Sequence, residues 1–112
     1  MNEFITYLSS KIEEGKSETA ALLADGRTDD ANFMKVRTNI YDVCRTVSRT
    51  LAGRPGAGVG AVRARLERFR TEWSASLEKA KQHDNIGGIA VEETKLAALE
   101  DIIAHFQEVS EA

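Results

Sequence analysis

Apolar side chains recur every three or four residues along nearly the whole chain, and nowhere do they alternate in twos. That spacing places them on one face of an α-helix and on both faces of a strand. The chain is therefore all-α, and the breaks in the pattern divide it into four helices. The first is expected at 2–25, with Phe4, Ile5, Leu8, Ile12, Thr19, Leu22 and Leu23 on one face. Gly15 interrupts it at a cost of about 1 kcal/mol relative to alanine. The phase of the stripe survives the interruption, so one helix is read, not two. Gly15 lies on the stripe, where it admits close approach of a neighbouring helix; a kink is the competing outcome.

Asp25-Gly26-Arg27-Thr28-Asp29-Asp30 ends this helix. Gly26 suits the left-handed cap position, and Thr28 or Asp29 is expected to cap the next helix. That second helix, 29–52, carries Phe33, Val36, Ile40, Val43, Val47 and Leu51 in strict three-four spacing, with Cys44 at the edge of the stripe. Four glycines and the only proline fall within 53–60 and cannot continue a helix. The third helix, 60–83, presents Val62, Leu66, Phe69, Trp73, Leu77 and Ala80. Asp84-Asn85-Ile86-Gly87-Gly88 closes it, leaving 86–91 as a short stretch that could be extended. The fourth helix, 89–109, has the widest stripe, in Leu96, Leu99, Ile102, Ile103, Phe106 and Val109, and is expected to be the most buried.

Short links force successive helices to run antiparallel. Residues 1–112 are therefore expected to form a single domain, an antiparallel up-down-up-down four-helix bundle. Helical hairpins completing a bundle by dimerisation satisfy the same pattern. The longest unbroken apolar run is five residues, 20–24, against the roughly 20 that a membrane span requires. The acidic start with no apolar stretch behind it argues against a secretory signal. The single cysteine cannot make an internal disulfide, so a reducing, cytoplasmic setting is expected.

The net charge of −3 conceals segregation. Residues 1–30 hold three basic and seven acidic side chains, 31–70 nine and two, and 71–112 three and nine. The basic middle is arginine with one lysine, Lys35. Antiparallel packing brings the end of the second helix and the start of the third to one pole. Arg45, Arg49, Arg54, Arg63 and Arg65 then gather there as a candidate patch for an anion or a partner. Arg45, Arg49 and Arg68 lie opposite their stripes and are expected to be exposed. The simpler expectation is that the acidic outer helices neutralise the basic inner ones, with Glu3, Glu108 and Glu111 helping at the pole. The sharper one is a site for a phosphate ligand, a nucleic-acid backbone or an acidic protein. The pI of 5.4 makes nucleic acid the less favoured partner, and the loops offer no aromatic ring for base stacking.

Catalytic and cofactor motifs fail on spacing. Gly53 and Gly58 have the glycine interval of a phosphate-binding loop, but Val59 and Gly60 replace its lysine and hydroxyl. Gly15-Lys16-Ser17 has the second half of that motif within a helix and lacks the first glycine. Asp101, His105 and Glu108 share a helix face without the Glu-x-x-His pairs of di-metal bundles. Cys44 has no base nearby in sequence and reads as a small buried hydrophobe. No cofactor, metal or enzyme activity is implied. Met34 and Tyr41, seven apart and beside the main stripe, together with Tyr7, form a candidate oligomer seam or else the wet edge of the core. The expected role is non-catalytic: self-association as a homodimer, or contact with another protein. Anion or nucleic-acid binding at the arginine pole is the alternative.

Overall fold

A computed structural model describes residues 1–111, with side chains through Ser110. Four helices follow in order: α1 (Asn2–Ala24), α2 (Thr28–Ala52), α3 (Val59–Gln82) and α4 (Ile86–Glu111). One chain completes the four-helix bundle. α1 packs along α2 and α3 along α4, forming two antiparallel hairpins. The hairpins meet mainly through α2 and α4, while α1 and α3 do not touch among the described residues.

The first turn forms as the sequence implies. Gly26 adopts φ +76°, and the Arg27 and Gly26 N–H groups donate to the carbonyls of Leu22 and Leu23 at 2.9 and 3.1 Å. A left-handed glycine thereby satisfies carbonyls that the helix end leaves bare. The next start differs from expectation. Arg27 occupies the N-cap position and makes no side-chain capping bond, while Thr28 and Asp29 already lie in the helix.

The larger correction is at α4. The helix begins at Ile86, three residues early, because Asn85 caps it. The Gly88 N–H donates to Asn85 Oδ1 at 3.0 Å. Glycines in a first turn cost little once its free N–H groups have an acceptor, so no extended stretch remains at 86–91. Asp84 reaches this cap through φ +50°, a conformation that aspartate tolerates better than most residues.

The core is one-sided. It consists of Phe4, Leu8 and Ile12 from α1, Ile40, Tyr41 and Cys44 from α2, Val62 and Leu66 from α3, and Ala98, Leu99, Ile102, Ile103 and Phe106 from α4. These segments lie at the arginine pole and along the half of the bundle next to it. No side chain from 67 to 97 is buried. Toward the α1–α2 and α3–α4 turns the hairpins part. The molecule measures 45 × 35 × 22 Å, and its radius of gyration is 15.2 Å against about 13 Å for a compact domain of this length.

Gly15 does admit close approach. It is buried, α1 runs through it without a break, and Thr38 of α2 fills the space a side chain would take. The α2 face is turned from its expected position. Buried there are Tyr41, Cys44 and Ser48, along with Ile40 and Ala31, while Val36, Val43 and Val47 are half-buried and Phe33 is exposed.

Candidate functional site

Three helices bring polar groups together where α1, α2 and α4 meet. The Tyr41 hydroxyl donates to Asp101 Oδ2 at 2.5 Å, and the Tyr7 hydroxyl donates to the same oxygen at 2.9 Å. Arg37 Nη2 donates to the Tyr41 hydroxyl at 3.1 Å and lies 4.0 Å from Asp101. His105, one turn along from Asp101, stacks on the Tyr7 ring at 3.6 Å. The Tyr41 hydrogen bond, then that of Tyr7 and the nearby cations, hold the Asp101 carboxyl below its ordinary range against the desolvation that opposes them. Burial, followed by the hydrogen bond to Asp101 and its charge, pushes the Tyr7 phenol up to about 12. The same causes, burial first, raise Tyr41. At neutral pH Tyr7 and Tyr41 therefore keep their protons and Asp101 stays ionised, and the three groups tie α1, α2 and α4 together.

This cluster carries a pH prediction. A carboxyl with a depressed native pKa stabilises above its unfolded value and loses that contribution as pH falls through the native one. Stability should therefore drop below about pH 4. A phenol with a raised pKa stabilises below about pH 10 and loses that contribution as pH climbs toward 12. Asp101→Leu should flatten the acid limb of the urea midpoint measured against pH and make the alkaline limb shallower, since burial of the phenols remains. Limbs as steep in the variant as in the parent would refute the assignment.

The cluster corrects the oligomer seam. Tyr41 is 1% exposed, and its hydroxyl is engaged in the molecule, not kept in water. Tyr7 and Tyr41 face α4 of their own chain, and Met34 is half-buried on the same hairpin. Asp101, which is exposed, and half-buried His105 join the same contact. No group of three His, Cys, Asp or Glu side chains is arranged to hold a metal among the described residues. Cys44 is fully buried, and burial alone pushes its thiol up to about 12, so it offers no thiolate near neutrality.

Three of the five arginines of the candidate patch, Arg45, Arg63 and Arg65, take different neighbours. Arg45 is 22% exposed, contrary to expectation, because Asp42 and Ser9 hold it against the hairpin at 3.2 Å each. Arg63 lies over the Phe106 ring and reaches Ser110 on α4. Arg65 lies over Phe69 and, with Arg68, flanks a recess beside Leu51 of α2. Arg49 and Arg54 are exposed. Neutralisation by the outer helices is slight at this pole. Among the described residues Arg49, Arg54, Arg63 and Arg65 pair with no carboxylate, and Glu108 sits 3.9 Å from His105. The Glu111 side chain lies outside the described residues. Among the described residues the ion pairs between helices are Arg70 with Glu100, which Nε and Nη2 grip at 2.7 and 2.8 Å, and the looser Arg37 with Asp101. The remaining pairs join residues three or four apart on one helix.

The chain matches no family model, no curated protein and no solved structure among those compared. Function must therefore be argued from surfaces.

Two surfaces stand out, and the periodicity foretold neither. The first is the open end. Leu23 is 45% exposed, Phe33 39% and Ile86 81%. The stripe residues Leu23 and Phe33 were expected inside; they are wet because the hairpins part before reaching them. A recess of about 290 Å³ runs between the α1–α2 tip and α4, lined by Leu22, Phe33, Met34 and Thr94, with the Arg27–Asp30 ion pair at its rim. The second surface is a pair of grooves along the α1–α2 hairpin, one of about 340 Å³ and one of about 250 Å³, with Thr38 lining both. No described helix is long and apolar enough to cross a membrane.

Proposed function

We propose that the protein is a non-catalytic interaction module that pairs with a second copy of itself through the open end. The observation that carries this reading is the wet apolar surface of Leu23, Phe33 and Ile86 at the end where the core is missing. Scattered single apolar residues are ordinary on a surface, but here Phe33 lines the recess between the hairpins while Leu23 and Ile86 stand exposed near the two hairpin turns, and an apolar recess with wet apolar neighbours on both hairpins favours a contact site. Charge favours a particular pairing. Residues 18–30, at the α1–α2 tip, carry four carboxylates and one cation, while 78–84, at the α3–α4 tip, carry two of each. A two-fold arrangement that sets the α1–α2 tip of one copy against the α3–α4 tip of the other keeps the acidic tips apart and covers all three residues.

Light scattering across a concentration series tests it. The mass should rise toward twice 12.3 kDa, and Phe33→Asp with Ile86→Asp should return it to 12.3 kDa without loss of helical circular dichroism. A parent chain that stays at 12.3 kDa up to about 1 mM, where even a weak dimer is populated, would overturn the reading.

A further inference from the structure

Gly15 and Thr38 bring α1 and α2 so close that a groove is left on each flank of their contact. The two grooves differ in charge. The smaller balances Lys11 and Arg37 with Glu14 and Glu18. The larger sets Lys16, Lys35 and Arg45 against Asp42 alone. Its volume of about 340 Å³ falls within the range of small-molecule sites, and that of the other falls short.

The larger groove also has a defined pattern of donors and acceptors. Arg45 is fixed, because its two terminal nitrogens are held by Ser9 and Asp42; its buried Nε–H has no acceptor among the described residues. Lys35 and Asn39 have no side-chain partner among the described residues, and the Lys16 ammonium meets Glu13 only at 3.6 Å. These groups are free to donate. The Thr19 and Thr38 hydroxyls already donate to the Gly15 and Met34 carbonyls at 2.7 Å, so toward the groove they present lone pairs, as Asp42 does. The groove thus offers cations and donors interleaved with acceptors along both helices.

We infer that this groove binds a small phosphorylated molecule bearing hydroxyl groups, of sugar-phosphate size. The phosphoryl group sits by Lys35 and Asn39 with Lys16 closing over it, while Arg45, ten residues along α2 from Lys35 and paired with Asp42, adds positive charge from the far end of the groove. The ligand's hydroxyls donate to Thr19, Thr38 and Asp42. A net excess of two positive charges answers a phosphate dianion, and the mixed rim separates this site from the exposed arginines of the pole, which would attract any polyanion.

Amide chemical shifts of the ¹⁵N-labelled full chain at low salt and pH 7.5 provide the test, with inorganic phosphate, glucose 6-phosphate and glucose as probes. Glucose 6-phosphate should shift amides within 12–19 and 35–45 saturably, inorganic phosphate should shift the same set at least about tenfold more weakly, and glucose should shift none. Lys16→Glu with Lys35→Glu, both on the solvent side of their helices, should weaken glucose 6-phosphate at least about tenfold while helical circular dichroism is unchanged. Arg49→Glu with Arg65→Glu should leave binding as it was. No saturable shift from either phosphate at about 10 mM would overturn the inference. Shifts centred on 49–65 would also overturn it, as would equal affinity in the Lys16, Lys35 variant. Light scattering reads the open end separately, so failure of one proposal is distinguishable from failure of the other.

Discussion

Phe106→Ala should cost about 3–5 kcal/mol, a large part of the stability of a domain this size. Phe106 is buried where three helices converge. Phe4 of α1 meets it edge-on at a centroid distance of 5.1 Å, and the Arg63 guanidinium of α3 covers its face. Truncation removes a ring from the one dry interior that the hairpins share among the described residues, and packed helices relax only partly into the cavity. Phe33→Ala, the same change at the open end, should cost no more than about 0.5 kcal/mol in dilute protein. Urea titrations of both variants at low and high protein concentration make the comparison. Costs that match at low concentration would mean that the core extends the full length of the bundle. A Phe33→Ala cost that appears only at high concentration would belong to the self-contact, because association stabilises by mass action.

This asymmetry explains why the sequence was legible in some respects and not in others. Periodicity is a local property, and the four helices follow from it to within a few residues. Burial depends on what stands opposite, which the period does not encode. Leu23 and Phe33 keep the phase of their stripes past the point where the hairpins part, so their regular spacing continues without a partner. On α2 the reason is different. This helix has α1 on one flank and α3 and α4 on others, so its buried arc is broader than a single stripe and takes in Tyr41 and Ser48. Tyr41 stands outside the stripe, which places it at the wet edge of the core or on an oligomer seam, yet the side of the helix it occupies is the one α4 covers.

Charge behaves in the same way. Counting arginines along 31–70 locates a basic segment but not the direction each side chain takes around its helix. Arg63 and Arg65 are two residues apart, which on a helix sends them to different neighbours, one to α4 and the other to the α2 side. The cation excess that the structure does gather, at Lys16, Lys35 and Arg45, draws on two helices and on lysines that a count of arginines passes over. Asn85 was hidden for a simpler reason: the Gly87-Gly88 pair is the stronger local signal for a break, and a single cap bond outweighs it.

Gly15→Ala should destabilise the chain by about 2–4 kcal/mol, although the same change in an exposed helix interior gains about 1 kcal/mol. A Cβ at this position would stand 2.0 Å from Thr38 Oγ1 and 3.0 Å from Thr38 Cβ and Cγ2. Contacts that short do not occur, and Thr38 has little room to yield, because its hydroxyl is tied to the Met34 carbonyl and its branched side chain is stiff. The helices must therefore move apart. Thr38→Ala removes the nearest atom but leaves the Cβ at 3.0 Å, so the double variant should recover part of the loss and no more, with a coupling of at least about 1 kcal/mol in a double-mutant cycle. Additive costs would show that the two residues do not in fact bear on each other. A gain from Gly15→Ala alone would mean that α1 and α2 are farther apart than described. Both grooves owe their shape to this contact, so widening it should also weaken glucose 6-phosphate in the larger one. The residue that costs α1 its best helix propensity is thus the one that sets the distance between Lys16 and Lys35 across the groove.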